Sequence, residues 1–243
     1  MTDAIGFPAF GASKRRPGRF ARTWWGDAWL QAMEDTSLDS APLKRGRRYA
    51  YAGLVGPITV SPGRISAQVY GEDGDVFHTV VVVDRLDDDQ WRRFLTEVAD
   101  KAGHLAALLD RDMPHELVTA AADADVPLLP GIGDLQPECD CPGWELPCRH
   151  AAALCFQTAW LLDADPFVLL LLRGRGQEQL TEELRRRQRP VVTPEPATLP
   201  EPPPPITGPP TPLVVPPAPG IDPDELAEIA ARAANRARAL LLG

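Results

Sequence analysis

Every cysteine of the chain falls inside one short stretch, CDCPGWELPCRHAAALC at 139–155, together with one of its four histidines. Groups gathered so tightly can form disulfides, pair a thiol nucleophile with an imidazole base, or hold a metal. Cys139 and Cys141 are two apart, as are Cys148 and His150, and six residues separate the pairs. On extended backbone, residues i and i+2 share a side, so each pair offers two donors toward one point. The intervening PGWELP carries a Pro-Gly turn pair, which lets the chain double back and bring the pairs face to face. Four such donors make a closed tetrahedral site of the kind zinc fills structurally, with one Zn2+ per chain. Cys155 follows His150 by five residues, on the far side of a helical wheel, between Leu154 and Phe156. It is expected to be a core thiol.

The other chemistries fit less well. Disulfides are disfavoured in a reducing compartment, and no apolar leader follows the basic residues of the N-terminus. A Cys-His nucleophile scheme leaves two or three further cysteines unexplained. A zinc deaminase needs a histidine and a glutamate ahead of its Pro-Cys-x-x-Cys, and Pro147-Cys148-Arg149-His150 imitates only part of that. A metal held by four protein donors also lacks the open position of hydrolytic zinc. The expectation is therefore not an enzyme. His78, His104 and His115 have no coordinating neighbours in sequence and are expected at the surface or the edge of the core.

With 243 residues and 44% apolar composition, the chain can bury one substantial core or two small ones. Its formal charge of -9 is not that of a general nucleic-acid binder. The charge is uneven, however: residues 1–50 carry nine basic and five acidic side chains, and residues 84–135 carry five basic and twelve acidic. Basic clusters occur at 14–22, 44–48 and 173–175. Arg45, Arg47 and Arg48 beside Tyr49 and Tyr51 could combine phosphate contacts with a stacking platform. The zinc loop offers Trp144, Glu145 and Arg149, which is poor material for reading bases. No apolar run approaches the roughly 20 residues that span a bilayer, so the protein is expected in the cytoplasm, with the nucleoid as a second expectation and no membrane partner.

Positioning the cluster falls to an α+β fold, a small antiparallel sheet packed with helices. RTWWGDAWLQAME spaces Trp25, Trp29 and Met33 by four, as a helix does. RGRRYAYAGLVGPITVSPGRISAQVYGEDGDVFHTVVVV reads as strands separated by turns, with Val80 to Val83 in the most interior strand. From Asp87 to Leu109, Trp91, Phe94, Leu95, Val98, Ala102, Leu105 and Leu109 recur as the stripe of one long helix, with Asp87, Asp88 and Asp89 at its positive end. A shorter element follows near Leu117, then an extended run into the cysteines. Helical composition returns in HAAALCFQTAWLL and at 181–187. Between 190 and 219, 14 of 30 residues are proline, which predicts an extended spacer. Asp222 then caps a last helix with Pro223 at its first position. The expected segments are a flexible basic arm at 1–19, an α+β domain at 20–127, the finger at 128–163, a helical extension at 164–189, the proline-rich linker at 190–221 and the terminal helix at 222–242.

Cys139-x-Cys141, six residues, then Cys148-x-His150 leading into a helix resembles the SWIM zinc finger. TWWGDAW, RGRRYA, MPHEL, LLP near 128 and DPFVLLLLRGRG from 165 resemble bacterial, especially actinobacterial, SWIM-finger proteins often encoded beside a Swi/Snf-type helicase. The likeness runs from about 20 to 184 and leaves the proline-rich tail outside it. It implies that Cys139, Cys141, Cys148 and His150 are the zinc ligands. It further implies an accessory role, either in contact with a helicase or other protein, or with DNA directly.

Overall fold

The computed structural model describes residues 4–14, 18–143, 145–188, 219–220 and 222–242. Of the linker expected at 190–221, all but residues 219 and 220 lies outside them, as does the finger-loop Trp144. The chain divides into two compact units, Met1–Val191 and Val192–Gly243. The segments expected at 20–127, 128–163 and 164–189 all lie within the first.

That first unit is built on a five-stranded antiparallel sheet in the order β1 (Ile5–Phe7), β2 (Ile58–Ser61), β3 (Arg64–Tyr70), β4 (Val76–Val83) and β5 (Leu135–Cys139). Ile5–Phe7, inside the expected flexible arm, pairs with β2, so the sheet begins earlier than the sequence suggested; three residues are too few for alternation to show. The β2–β3 turn is Pro62-Gly63, with Gly63 at φ +75°, a left-handed conformation that favours glycine. One face of the sheet is apolar and buried: Ile58, Val60, Ile65, Val69, Val81 and Val83. Val80 and Val82 on the other face are half-buried. β4 lies between β3 and the edge strand β5, so the most interior strand is β3 and not the one that carries Val80 to Val83; the apolar run reflects the burial of Val81 and Val83 under the helices rather than a central place in the sheet.

Helix α6 (Arg149–Ala164) packs on that apolar face and is the centre of the core: from His150 to Leu162 every residue except Trp160 is buried. Two helices lie against it. In α1 (Trp24–Thr36), Trp25 and Trp29 are buried and donate their indole N–H groups to the carbonyls of Leu162 (2.8 Å) and Cys155 (3.1 Å). Buried indoles thus leave no donor unpaired. The second is α2 (Ser40–Ala52).

α2 corrects the sequence reading, which took RGRRYAYAG as strand. Asp39 accepts from Ala41 N at the start, Gly53 ends the helix at φ +71°, and Leu43, Gly46, Tyr49 and Ala50 form its buried face at helical spacing. Tyr49 and Tyr51 imitate the period of a strand; the caps and Leu43 carry the helical one.

The long helix expected over 87–109 is two helices, α3 (Asp88–Asp100) and α4 (Ala102–Leu109), with Lys101 extended between them. The His104 ring reaches the carbonyl of Glu97 at 3.3 Å, the oxygen that an uninterrupted helix would pair with Lys101 N. At the other end the acidic cluster behaves as expected: Asp87 and Gln90 form a reciprocal capping box. α5 (His115–Asp123), α7 (Phe167–Leu172) and α8 (Gln177–Gln188) complete the unit. Arg173 is buried, its guanidinium spent on the carbonyls of Asp84, Pro127 and Leu128. In the second unit α9 (Pro223–Leu242) starts as expected, with Asp222 accepting from Asp224 N at 2.9 Å. No helix among the described residues is long and apolar enough to cross a membrane.

Candidate metal centre

Two elements that meet at the edge of the sheet bring the four donors together. β5 delivers Cys139 opposite Thr79 of β4, and the pairing continues one residue further. Asp140 N donates to His78 O at 3.3 Å, and His78 N donates to the Asp140 carboxylate at 2.9 Å. The residue between the first two cysteines therefore anchors their knuckle to β4. The second pair comes from the start of α6: Cys148 is its N-cap, with its sulfur accepting from Ala151 N at 3.5 Å, and His150 lies in the first turn.

The donor atoms of Cys139, Cys141, Cys148 and His150 all lie within 4.8 Å of one another. Zinc–sulfur bonds of about 2.3 Å in a tetrahedron place neighbouring sulfurs about 3.8 Å apart, so this spacing suits a single ion. Cys139 Sγ stands 3.7 Å from His150 Nδ1. His150 is buried, stacked on Phe77 at 4.3 Å between centroids and met edge-on by Tyr49 at 5.6 Å. Arg149 Nε donates to its Nε2 at 3.2 Å, so Nδ1 is the nitrogen turned toward the sulfurs.

The hydrogen bond between the Cys148 and Cys139 side chains holds Cys139 well below the usual thiol range and pushes Cys148 above it. His150 and Thr79 add to the lowering at Cys139. Zinc binds thiolates, so loading the site releases thiol protons. Three thiolates and one imidazole fit a structural Zn2+, which they would hold as a tie between the sheet edge and the core helix. Cys155 stands apart: it is fully buried, and burial pushes its thiol up to about 12.

The second set of candidate residues does not form one surface. As a strand, 45, 47, 49 and 51 would share a face; as a helix they divide. Arg45 and Tyr49 turn to the metal side, where Arg45 pairs with Glu145 of the finger loop and Tyr49 is buried against His150. Tyr49 is therefore no stacking platform. Arg47 and Tyr51 turn the other way: the Arg47 guanidinium lies 5.3 Å from the Phe20 ring centre, and Tyr51 packs on Phe20 and Trp160. Arg48 is exposed. Of the remaining histidines, His78 and His115 are exposed and His104 is buried. Sequence reasoning missed Phe77, Thr79 and Asp140. Only strand alternation in FHTVVVV, placing Phe77 and Thr79 on one side, could have pointed to the first two.

A family model, the SWIM zinc finger, matches residues 117–159. The chain is 33% identical over 180 residues to the protein Rv2102 of Mycobacterium tuberculosis H37Rv, itself described as uncharacterized. The alignment covers 73% of this chain and 65% of that protein, so the chain spans less than two thirds of the relative's length. No solved structure matches the chain. A Cys3His cluster of zinc geometry, inside the matched residues, shows that this chain carries a SWIM zinc-finger domain with one structural Zn2+ site, in a protein distantly related to an uncharacterized mycobacterial one.

Proposed function

We propose that the protein is a non-enzymatic accessory protein, a zinc-tied scaffold that docks a Swi/Snf-type helicase or a comparable nucleic-acid-processing protein in the cytoplasm. The observation that supports this is the closed donor set. All four coordination positions are met by Cys139, Cys141, Cys148 and His150, with their neighbours committed to holding the ligands in place. Such a site contributes folding energy. The helicase enters through the resemblance of the sequence to helicase-linked SWIM-finger proteins. The test is a titration of the zinc-loaded full chain against a purified Swi/Snf-type ATPase of its source organism, read by interferometry and by ATPase rate. Saturable binding supports the reading. No binding and no change in rate at micromolar protein sinks it.

A second reading is direct, weakly sequence-specific nucleic-acid binding through the basic N-terminal half. It is favoured by the exposed Lys14, Arg19, Arg22, Lys44 and Arg48 in a chain whose net charge is -9. Affinity of this kind falls with salt and is indifferent to base sequence. Polarisation titrations of labelled oligonucleotides at two salt concentrations separate it from the first reading.

A further inference from the structure

On α6 the one unburied side chain between His150 and Leu162 is a tryptophan. A surface-facing helix position next to a full core ordinarily takes a polar residue. Here Trp160 joins an aromatic cluster: Phe20 is stacked on it at 5.1 Å and 4°, Phe10 meets it edge-on at 5.2 Å, and Tyr51 lies at 5.7 Å. Phe10, Tyr51 and Trp160 are each only partly buried. They line a cleft of about 500 Å³, which is within the range of about 300–1,000 Å³ typical of ligand sites.

The charge around this cleft is one-sided. Among the described residues lining it are Lys14, Arg19 and Arg22, and no carboxylate. Arg19 pairs with Asp27. Lys14 and the Arg22 guanidinium have no ion-pair or hydrogen-bond partner among the described residues. Asp163, the nearest acidic group in sequence to Trp160, is turned inward: it accepts from the backbone N–H groups of Arg22 and Thr23 at 2.8 and 2.9 Å and from the Thr23 hydroxyl at 2.7 Å. Those bonds also hold the Arg22 backbone at the rim. In an acidic protein, an aromatic wall rimmed by unpaired cations complements a ligand with a π-face and a negative charge.

We propose that this cleft binds unpaired nucleotides of a single-stranded nucleic acid, a base against the aromatic cluster and the phosphates on Lys14 and Arg22. The inference rests on the nucleic-acid reading above and moves its site from the arginines of α2 to this cleft. Stacking on aromatic side chains is indifferent to base identity and needs an unstacked base, so single strands bind and duplexes of the same length bind less well. At about 500 Å³ the cleft has room for a base and its sugar.

The experiment is a polarisation titration of the zinc-loaded full chain with a fluorescein-labelled oligothymidylate, its duplex form, and a labelled proline-rich peptide, all at low and at physiological salt. Lys14→Glu with Arg22→Glu, both exposed, should raise Kd for the single strand by about tenfold or more. Trp160→Leu should raise it about five- to tenfold, as expected for loss of one stacking contact. Arg48→Glu, outside the cleft, should change it by less than about twofold. Zinc content and melting temperature of each variant check the fold, and the exposed charge variants keep the test valid if Trp160→Leu is unstable. Loss with Arg48→Glu and wild-type affinity in the cleft variants would leave nucleic-acid binding standing and overturn the cleft. Absence of binding by the wild type at low salt would overturn both. Saturable binding of the peptide, lost in Trp160→Leu, with no oligonucleotide bound, would make the cleft a peptide groove and overturn the proposal.

Discussion

The two ends of α6 use similar residue types to opposite effect. At its start an arginine, a tyrosine and an imidazole are engaged within the chain: Arg45 pairs with Glu145, Tyr49 is buried, and His150 sits among sulfurs. At its far end Trp160, Tyr51, Lys14 and Arg22 line an opening, and the two cations have no side-chain partner among the described residues. The residues of α2 are shared between the two ends by helical geometry, 45 and 49 to one and 47 and 51 to the other. Where the charged and aromatic groups pair within the chain, as Arg45 does with Glu145 and Tyr49 with His150, the arrangement maintains the fold. Where charged groups flank an aromatic surface without internal partners, the arrangement has capacity for something outside the chain.

This contrast is broken most severely at the metal. Cys141→Ser or His150→Ala should abolish zinc in elemental analysis and cost at least about 5 kcal/mol, or about 10–20 °C of melting temperature in a chain of this size. Cys155→Ala should keep the zinc. Next comes the contact that lets α2 reach α6. A Cβ at Gly46 would meet Ala152 Cβ at 2.5 Å, Ala153 N at 2.9 Å and Arg149 O at 2.9 Å, and the last two are backbone. Gly46→Ala should cost about 2–3 kcal/mol in denaturant melts; Gly103→Ala in α4, where the new Cβ meets nothing within 4 Å, should be neutral or stabilise by up to about 1 kcal/mol.

At the far end, Asp163→Ala removes three hydrogen bonds at the start of α1 and should cost about 1–2 kcal/mol, with zinc unchanged. Retention of zinc with a lowered melting temperature would sharpen the distinction between the two ends; zinc loss would erase it. The smallest effect concerns pH. Because burial raises the Cys155 thiol from 9.0 to about 12, the thiol stays neutral in the folded chain while the unfolded chain ionises it first. The stability it contributes is present below pH 9.0 and is lost as pH rises toward 12. In native protein at pH 8.5, iodoacetamide followed by mass spectrometry should leave Cys155 unmodified.

The metal ligands were legible because coordination imposes spacing on the chain itself: i, i+2 pairs and a turn between them. The tryptophans of α1 were legible for the same kind of reason, since Trp25, Trp29 and Met33 repeat along one helical face. α2 was not, because Tyr49 and Tyr51 alternate as strand residues do, and the contact that selects the helix, Gly46 against Ala152, joins segments about a hundred residues apart. The break at Lys101 was hidden because the nearby Gly103 lies inside α4 rather than at the break, and a histidine reaching the Glu97 carbonyl leaves no compositional trace. The cleft escaped notice as a unit because Phe10, Phe20, Tyr51 and Trp160 come from four separate stretches, each reading locally as ordinary core.

The indole bonds from α1 to α6 also set a schedule for biosynthesis. Trp25 and Trp29 leave the ribosome early, but their acceptors, Leu162 and Cys155, follow more than a hundred residues later. At elongation rates of about 5–20 residues per second, the first helix waits on the order of ten seconds for the segment that covers it. For that interval two tryptophans meant for the deepest part of the core are exposed on a nascent chain, and the zinc donors arrive with the helix that ends their exposure. A chain truncated before Arg149 should therefore aggregate or engage chaperones and show no cooperative melt, whereas one that continues through Arg187 should fold and load zinc in the same step.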